Sequence, residues 1–151
     1  DVHIHPQSIV HSMVEYIDGS VIAQMGMPDM RVPIAYALAH PERLKLDLPT
    51  LDLFSVQTLT FQKPDLSRYP SLALAFNACK AGGTMPAVLN AANEVAVQAF
   101  LDKRIPFMGI PRLVDKVMQK HEIAPATELQ VILAADTWAR QRTEELIDSM
   151  R

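Results

Sequence analysis

The residues best suited to chemistry at the start of the chain are histidines. In His3-Ile4-His5 the two imidazoles are two positions apart, so an extended segment turns both to one face, and His11 follows in the same stretch. A pair of this kind at a strand end suits zinc or iron, whose sites take imidazole nitrogen. A catalytic metal also needs a third ligand in reach. The sequence has no H-E-x-x-H, no cysteine pair and no acidic partner at ligand spacing, so hydrogen-bonded histidines near a sheet edge are the plainer expectation. A second stretch is Gly26-Met27-Pro28-Asp29-Met30-Arg31, where Gly and Pro fix a loop between strand and helix. Loops on a rigid scaffold often line sites, although a Pro-Asp turn beside Met also serves plain structure. In Asn90-Ala91-Ala92-Asn93-Glu94 the polar residues are poor helix formers within a helical pattern. They are expected to bond to something specific, the backbone of a neighbouring connector rather than a substrate. Trp138 reads as packing, and Cys79, on an apolar stripe, as a buried inert thiol. A Gly-rich phosphate loop, a nucleophile elbow and clustered carboxylates are all missing from the sequence.

These residues need elements to hold them. Residues 9–17 and 20–25 are rich in Ile and Val and flank Asp18-Gly19, the pair suited to a two-residue type I′ turn. That turn sets Tyr16 opposite Val21, Val14 opposite Ala23 and His11 opposite Gly26. One face then holds Val10, Ser12, Val14, Tyr16, Val21, Ala23 and Met25, and the other is mixed. Two strands are marginal alone and need a sheet to join. Residues 32–40 suit a short helix with Pro33 in its first turn. Residues 41–66 lack a sustained period and read as a connector, with a brief strand at 58–61.

From Ser67 the period becomes 3.6. Pro70 suits a first helical position, and Leu72, Ala75, Phe76 and Cys79 form the first stripe. The second is Met85, Val88, Leu89, Ala92, Val95, Ala96, Ala99 and Phe100. The third is Ile110, Leu113, Val114 and Val117, with Lys116, Lys120 and His121 where the helix dipole is negative. Thr127 and Gln130 have capping-box spacing before a last helix whose stripe is Ile132, Ala135, Ala139, Leu146 and Met150. The expected fold is α+β: a hairpin and short helix over 1–40, a connector over 41–66, and a four-helix unit over 67–151.

Composition bounds the function. The 151 residues are 49% hydrophobic, with 14 basic against 17 acidic side chains, and mean hydropathy is +0.08. This excludes a disordered chain and argues against a nucleic-acid surface, since acids outnumber bases. No run approaches the ~20 apolar residues of a membrane span, and the single cysteine fits a reducing compartment. A first residue other than Met leads us to expect sequence upstream.

Several motifs, in order and at matching spacing, closely resemble 1-deoxy-D-xylulose 5-phosphate reductoisomerases. They are His5-Pro6-Gln7-Ser8-Ile9-Val10-His11-Ser12-Met13, Asp18-Gly19-Ser20, and Gly26-Met27-Pro28-Asp29-Met30-Arg31 running on through Pro33-Ile34-Ala35. Leu59-Thr60-Phe61, Pro64-Asp65, Arg68-Tyr69-Pro70, Leu89-Asn90-Ala91-Ala92-Asn93-Glu94 and Ala99-Phe100-Leu101 continue the likeness, which fades beyond Gln119. The resemblance implies the C-terminal portion of a cytoplasmic homodimeric enzyme of isoprenoid precursor synthesis. That enzyme rearranges and reduces a phosphosugar, with Mg or Mn as Lewis acid and NADPH as hydride donor. It implies that the family's NADPH loop, metal ligands and phosphate-binding residues lie upstream of everything matched here. This stretch would then hold no catalytic, cofactor or metal residue and would be inactive alone, while His11, Pro28 and Met30 would border the substrate pocket. Two other readings use the same residues: a non-catalytic helical module whose hairpin adds to a partner's sheet, and a small H-x-H metalloprotein.

Overall fold

The computed structural model describes residues 1–149, and the chain divides into two compact units, the second beginning at Asp65 and the first spanning Asp1–Pro64. The architecture is α+β, with one two-stranded antiparallel sheet and six helices among the described residues. Among those residues no helix is long and apolar enough to cross a membrane.

In the first unit, strands β1 (Val10–Glu15) and β2 (Val21–Met25) form the expected hairpin. Its register is one residue away from the expected one. Met13 pairs with Ala23, Val14 with Ile22 and Glu15 with Val21. The cause is the turn: of Asp18 and Gly19, only Gly19 has positive φ (+82°). A type I′ turn needs two such residues, so the loop takes three residues instead, with Gly19 N–H bonded to the Tyr16 carbonyl at 2.9 Å. Asp18 braces the far side by accepting from the Ser20 N–H at 2.9 Å and its hydroxyl at 2.7 Å. Because side chains alternate, one step of register re-sorts both faces. Val14, Tyr16 and Ile22 share one face, and Met13, Glu15, Val21 and Ala23 the other. A β-bulge between Val10 and Ser12 then returns Val10 to Met25 and leaves His11 as the extra residue.

Helix α1 (Arg31–Ala39) follows the loop as expected, with Pro33 in its first turn. The residues expected as a strand at 58–61 are not one. Pairing occurs at Gln62, which bridges antiparallel to Ile4. Within the expected connector lies a single-turn helix, α2 (Leu53–Val56), capped by the Asp52 carboxylate on the Phe54 N–H at 2.9 Å. Ile9 is the one buried apolar side chain among the described residues of this unit.

The second unit is four helices: α3 (Pro70–Ala81), α4 (Met85–Leu101), α5 (Gly109–Met118) and α6 (Leu129–Asp148). Helix α4 packs against the other three. Its buried face is small, with Ala91, Ala92, Ala96 and Ala99 at 1% exposure or less, so neighbouring backbones come close. Val88, Val117 and Ala139 meet around one half of that face, and Ile110, Leu113 and Ile147 around the other. Fully burying Leu113 stabilises the unit by ~1.5–3 kcal/mol. The α5 stripe lies where its period puts it, all four residues buried.

Two stripes differ from expectation. Helix α3 has apolar residues on every side, with only Ser71, Asn77 and Lys80 between them, so its period selects no single face. Ala78 and Leu74 pack inward, and Phe76 and Cys79 are exposed. In α6 the buried residues are Ala135, Ala139, Thr143 and Ile147, with Ile132 and Leu146 half-buried. Thr143 fits because its hydroxyl bonds back to the Ala139 carbonyl at 2.7 Å. The Thr127–Gln130 capping box does not form. The N-cap position falls on Glu128, which makes no side-chain cap bond. Met150 lies outside the described residues.

Candidate functional site

His11 owes its placement to the bulge. Its Nε2 donates to the Ser8 carbonyl at 3.0 Å, and its Nδ1 lies 3.2 Å from the Gln24 side-chain amide. Ser8 has φ +53°, which turns its carbonyl toward the ring. The residue bonded to Gly26 is Ile9, whose carbonyl accepts the Gly26 N–H at 3.0 Å. His11 is therefore not opposite Gly26, as the two-residue turn required. Neither Ser8 nor Gln24 was singled out in the sequence, and no spacing rule marks a bulge.

His3, His5 and His11 line one hollow of about 530 Å³ in the first unit, together with Met13, Glu15 and Phe61. His5 is the most firmly held. Its ring stacks on Phe61 at 4.7 Å and 15°, and Nδ1 donates to the Thr60 carbonyl at 2.8 Å. Its Nε2 is buried without a partner among the described residues. His3 touches the same ring edge-on at 6.4 Å. Among the described residues no three His, Cys, Asp or Glu side chains converge as a metal site. Mg asks for oxygen ligands in octahedral array, and this hollow offers two carboxylates, Asp1 and Glu15, beside its three imidazoles. The described residues thus do not assemble a Mg site here, and the sequence carries no Gly-rich turn for a dinucleotide.

Pro28 and Met30 are on the loop between β2 and α1, outside that hollow. Met30 occupies the N-cap position of α1 and is 70% exposed. The loop is rigid for a reason the sequence left unremarked, an Asp-x-Arg spacing. Asp29 accepts the Arg31 N–H at 2.9 Å and grips the Arg31 guanidinium through both oxygens, at 2.7–3.1 Å. Those side-chain hydrogen bonds hold the Asp29 carboxyl down at about 2. The structure therefore gathers the three histidines in one place and holds Pro28 and Met30 in another. In the second unit, Asn90 has a different partner from the one expected. It donates to Glu94 at 3.1 Å, and Glu94 in turn accepts from Arg140 of α6 at 2.6 Å.

A bulged hairpin feeding a pinned Pro-Met loop, with a helical unit built on an alanine-faced helix, defines the chain as an α+β protein of two units. Residues 25–142 match the model of the DXP reductoisomerase C-terminal domain. The chain is 62% identical over 146 residues to 1-deoxy-D-xylulose 5-phosphate reductoisomerase of Chlorobium limicola, covering 97% of this chain and 38% of that one. It is 61% identical over 147 residues to the enzyme of the same name from Pelotomaculum thermopropionicum, with the same coverage. The solved reductoisomerase of Zymomonas mobilis in complex with NADPH superposes with a TM-score of 0.88 at 46% identity, over 96% of this chain and 38% of that one. A DOX-P reductoisomerase in complex with NADPH, fosmidomycin and magnesium gives 0.86 at 40%, over 98% and 38%. The chain belongs to the DXP reductoisomerase family, and it spans under two-fifths of the length of these relatives.

Proposed function

We propose that this chain is the C-terminal portion of an NADP-dependent 1-deoxy-D-xylulose 5-phosphate reductoisomerase, converting that phosphosugar to 2-C-methyl-D-erythritol 4-phosphate for isoprenoid precursor synthesis. The observation that carries this reading is 62% identity across 97% of the chain to a relative of that name. In the parent enzyme NADPH supplies hydride, and Mg or Mn polarises the carbonyl. Both would be held by residues outside this stretch, which contributes no catalytic group and is inactive alone. Residues 1–40 complete the catalytic domain, 41–66 connect, and 67–151 form the helical domain.

His11, Pro28 and Met30 border the substrate pocket. Met30 offers an exposed thioether on a pinned loop, suited to packing and unsuited to proton transfer. His11 holds the bulge. The parent is a cytoplasmic homodimer. Its assembly is supported by the open hairpin, where Val14 and Ile22 are 55% and 62% exposed and edges left bare invite pairing.

Steady-state kinetics test the reading. The 151-residue chain should not oxidise NADPH with substrate and Mg, and the full-length enzyme should. In that enzyme Met30→Ala should chiefly raise KM, because it removes packing common to ground and transition states. His11→Ala should affect both parameters moderately. A loss of kcat near 10⁴-fold in His11→Ala, with thermal melting unchanged, belongs to direct acid–base chemistry, usually worth ~10²–10⁴-fold, and would remove the supporting role. A strictly monomeric enzyme in sedimentation would overturn the dimer.

A further inference from the structure

The pair that sets the hairpin turn is chemically labile by type. Asp18-Gly19 is the one Asp-Gly step in the sequence, and no Asn precedes a glycine. Glycine has no Cβ to shield its amide nitrogen, so such a step can close on itself. The Gly19 nitrogen bonds to Asp18 Cγ, and its proton leaves with the carboxyl hydroxyl as water. Water then reopens the cyclic imide. Addition at Cγ restores aspartate. Addition at the backbone carbonyl carbon leaves Gly19 joined through Cβ and Cγ, which is isoaspartate. One water leaves and one returns, with no oxidant or reductant. The product has an extra carbon in its backbone path, inside the loop that sets Met13 on Ala23 and Val14 on Ile22.

Ring closure has three requirements, and the turn opposes each. The carboxyl must be protonated, so that an oxygen can leave as water. Asp18 Oδ1 instead accepts the Ser20 hydroxyl at 2.7 Å and the Ser20 N–H at 2.9 Å. Those bonds, the hydroxyl first, hold the Asp18 carboxyl below its usual range. The nitrogen must give up its proton, yet Gly19 N–H donates it to the Tyr16 carbonyl at 2.9 Å. Side chain and peptide must also turn toward one another. The Ser20 bonds fix the first and the Tyr16 bond the second, while Tyr16 N–H on the Ser20 carbonyl at 2.9 Å closes the loop around both. We propose that Asp18 is a latent isomerisation site and that Ser20 is the residue that keeps it closed to reaction. Residues 16–20 are all exposed, so hydrogen bonds and not burial carry the protection.

Ageing the 151-residue chain at neutral pH tests this. Trypsin releases Asp18 within residues 1–31, since Arg31 is the first Lys or Arg. The isoaspartyl peptide has the same mass, elutes apart and accepts a methyl group from an isoaspartyl methyltransferase. The parent chain should form it roughly tenfold or more slowly than an unstructured peptide of residues 16–21. Ser20→Val removes the hydroxyl and suits a strand. It should raise the rate roughly 3–10-fold, the usual worth of one hydrogen bond, and Ser20→Ala should do the same. Ser20→Thr, isosteric with the Val variant, restores the hydroxyl and should stay at the parent rate. A retained cross-strand NMR contact between Met13 and Ala23 reports that the hairpin is intact in each. Equal rates in the parent chain and the peptide overturn the proposal. So do rates at or below the parent's in both hydroxyl-free variants, or a Ser20→Thr rate as high as theirs.

Discussion

Replacing Gly83 by Ala should damage the helical unit more than any surface change of similar size. Gly83 has φ +52°, and a Cβ built there lies 2.4 Å from the Ala124 carbonyl oxygen and 2.9 Å from Cγ2 of Ile123. The left-handed backbone costs an L residue ~1–2 kcal/mol. The clash adds to it, because an oxygen 2.4 Å away must retreat by about 1 Å to reach ordinary contact. Retreat pulls Ala124 off Thr84, at a cost of about 1 kcal/mol for each of the two backbone-linked hydrogen bonds. Gly→Ala also restricts the unfolded chain and returns ~0.4–1 kcal/mol. The net loss is about 2–3 kcal/mol. Trp138 is the sole tryptophan and packs in this unit, so urea unfolding followed by its fluorescence reports the right transition. With a slope of ~1–3 kcal/mol per molar, typical of small proteins, the midpoint should fall by roughly 0.7–3 M. A fall under about 0.3 M at unchanged slope would refute the close approach of Gly83 to Ala124.

The same assay applies to Lys103, where a left-handed residue (φ +59°) ends α4 with the Lys103 N–H on the Phe100 carbonyl and the Arg104 N–H on Ala99. This pair of bonds is a Schellman motif, in which glycine is favoured. Lys103→Gly should stabilise by about 0.5 kcal/mol after the entropy of the unfolded chain is subtracted, and destabilisation would count against it. Asp29 should titrate near 2 by carbon-detected NMR, and Arg31→Ala should bring it up toward its ordinary value of 3.8. Because the folded value lies below the unfolded one, the Asp29 contribution to stability is present above about 3.8 and fades as pH falls toward 2. An unmoved midpoint in Arg31→Ala would remove Arg31 as the cause.

What could be read in the sequence follows from where a single face is enforced. Helix α5 alternates polar Arg112, Asp115 and Lys116 with its apolar stripe, so its burial was legible in full. Helix α3 offers apolar residues on every side, and only its neighbours decide that Ala78 turns in and Cys79 out. The hairpin was legible as a hairpin, but its register hung on whether Asp18 would take positive φ beside Gly19. One unfilled requirement moved every pair by a residue. The bulge at His11 and the left-handed Ser8 leave no mark on composition or period, so the immediate surroundings of His11 were hidden. Thr84 and His121, hydrogen-bonded across 37 positions, were hidden for a similar reason. A buried hydroxyl next to a glycine pair looks like any turn until the connector between α5 and α6 is laid across it.

The bridge between Ile4 and Gln62 has a consequence for the order of assembly. Those residues exchange both backbone hydrogen bonds at 2.9 Å, and His5 meets Thr60 across 55 positions. The hairpin, its loop, α1 and α2 all lie inside the ring that these contacts close. Closing so long a loop costs roughly 2 kcal/mol more chain entropy than closing the Tyr16–Ser20 turn, at ~0.6 kcal/mol per doubling. During synthesis at ~5–20 residues per second, the partner of the opening segment leaves the ribosome roughly 3–11 s after it. The hairpin can close locally long before then. Within residues 1–64 the opening segment is thus made well before its partners, and the contacts of His3 and His5 with Phe61 and of His5 with Thr60 form only once those residues have followed.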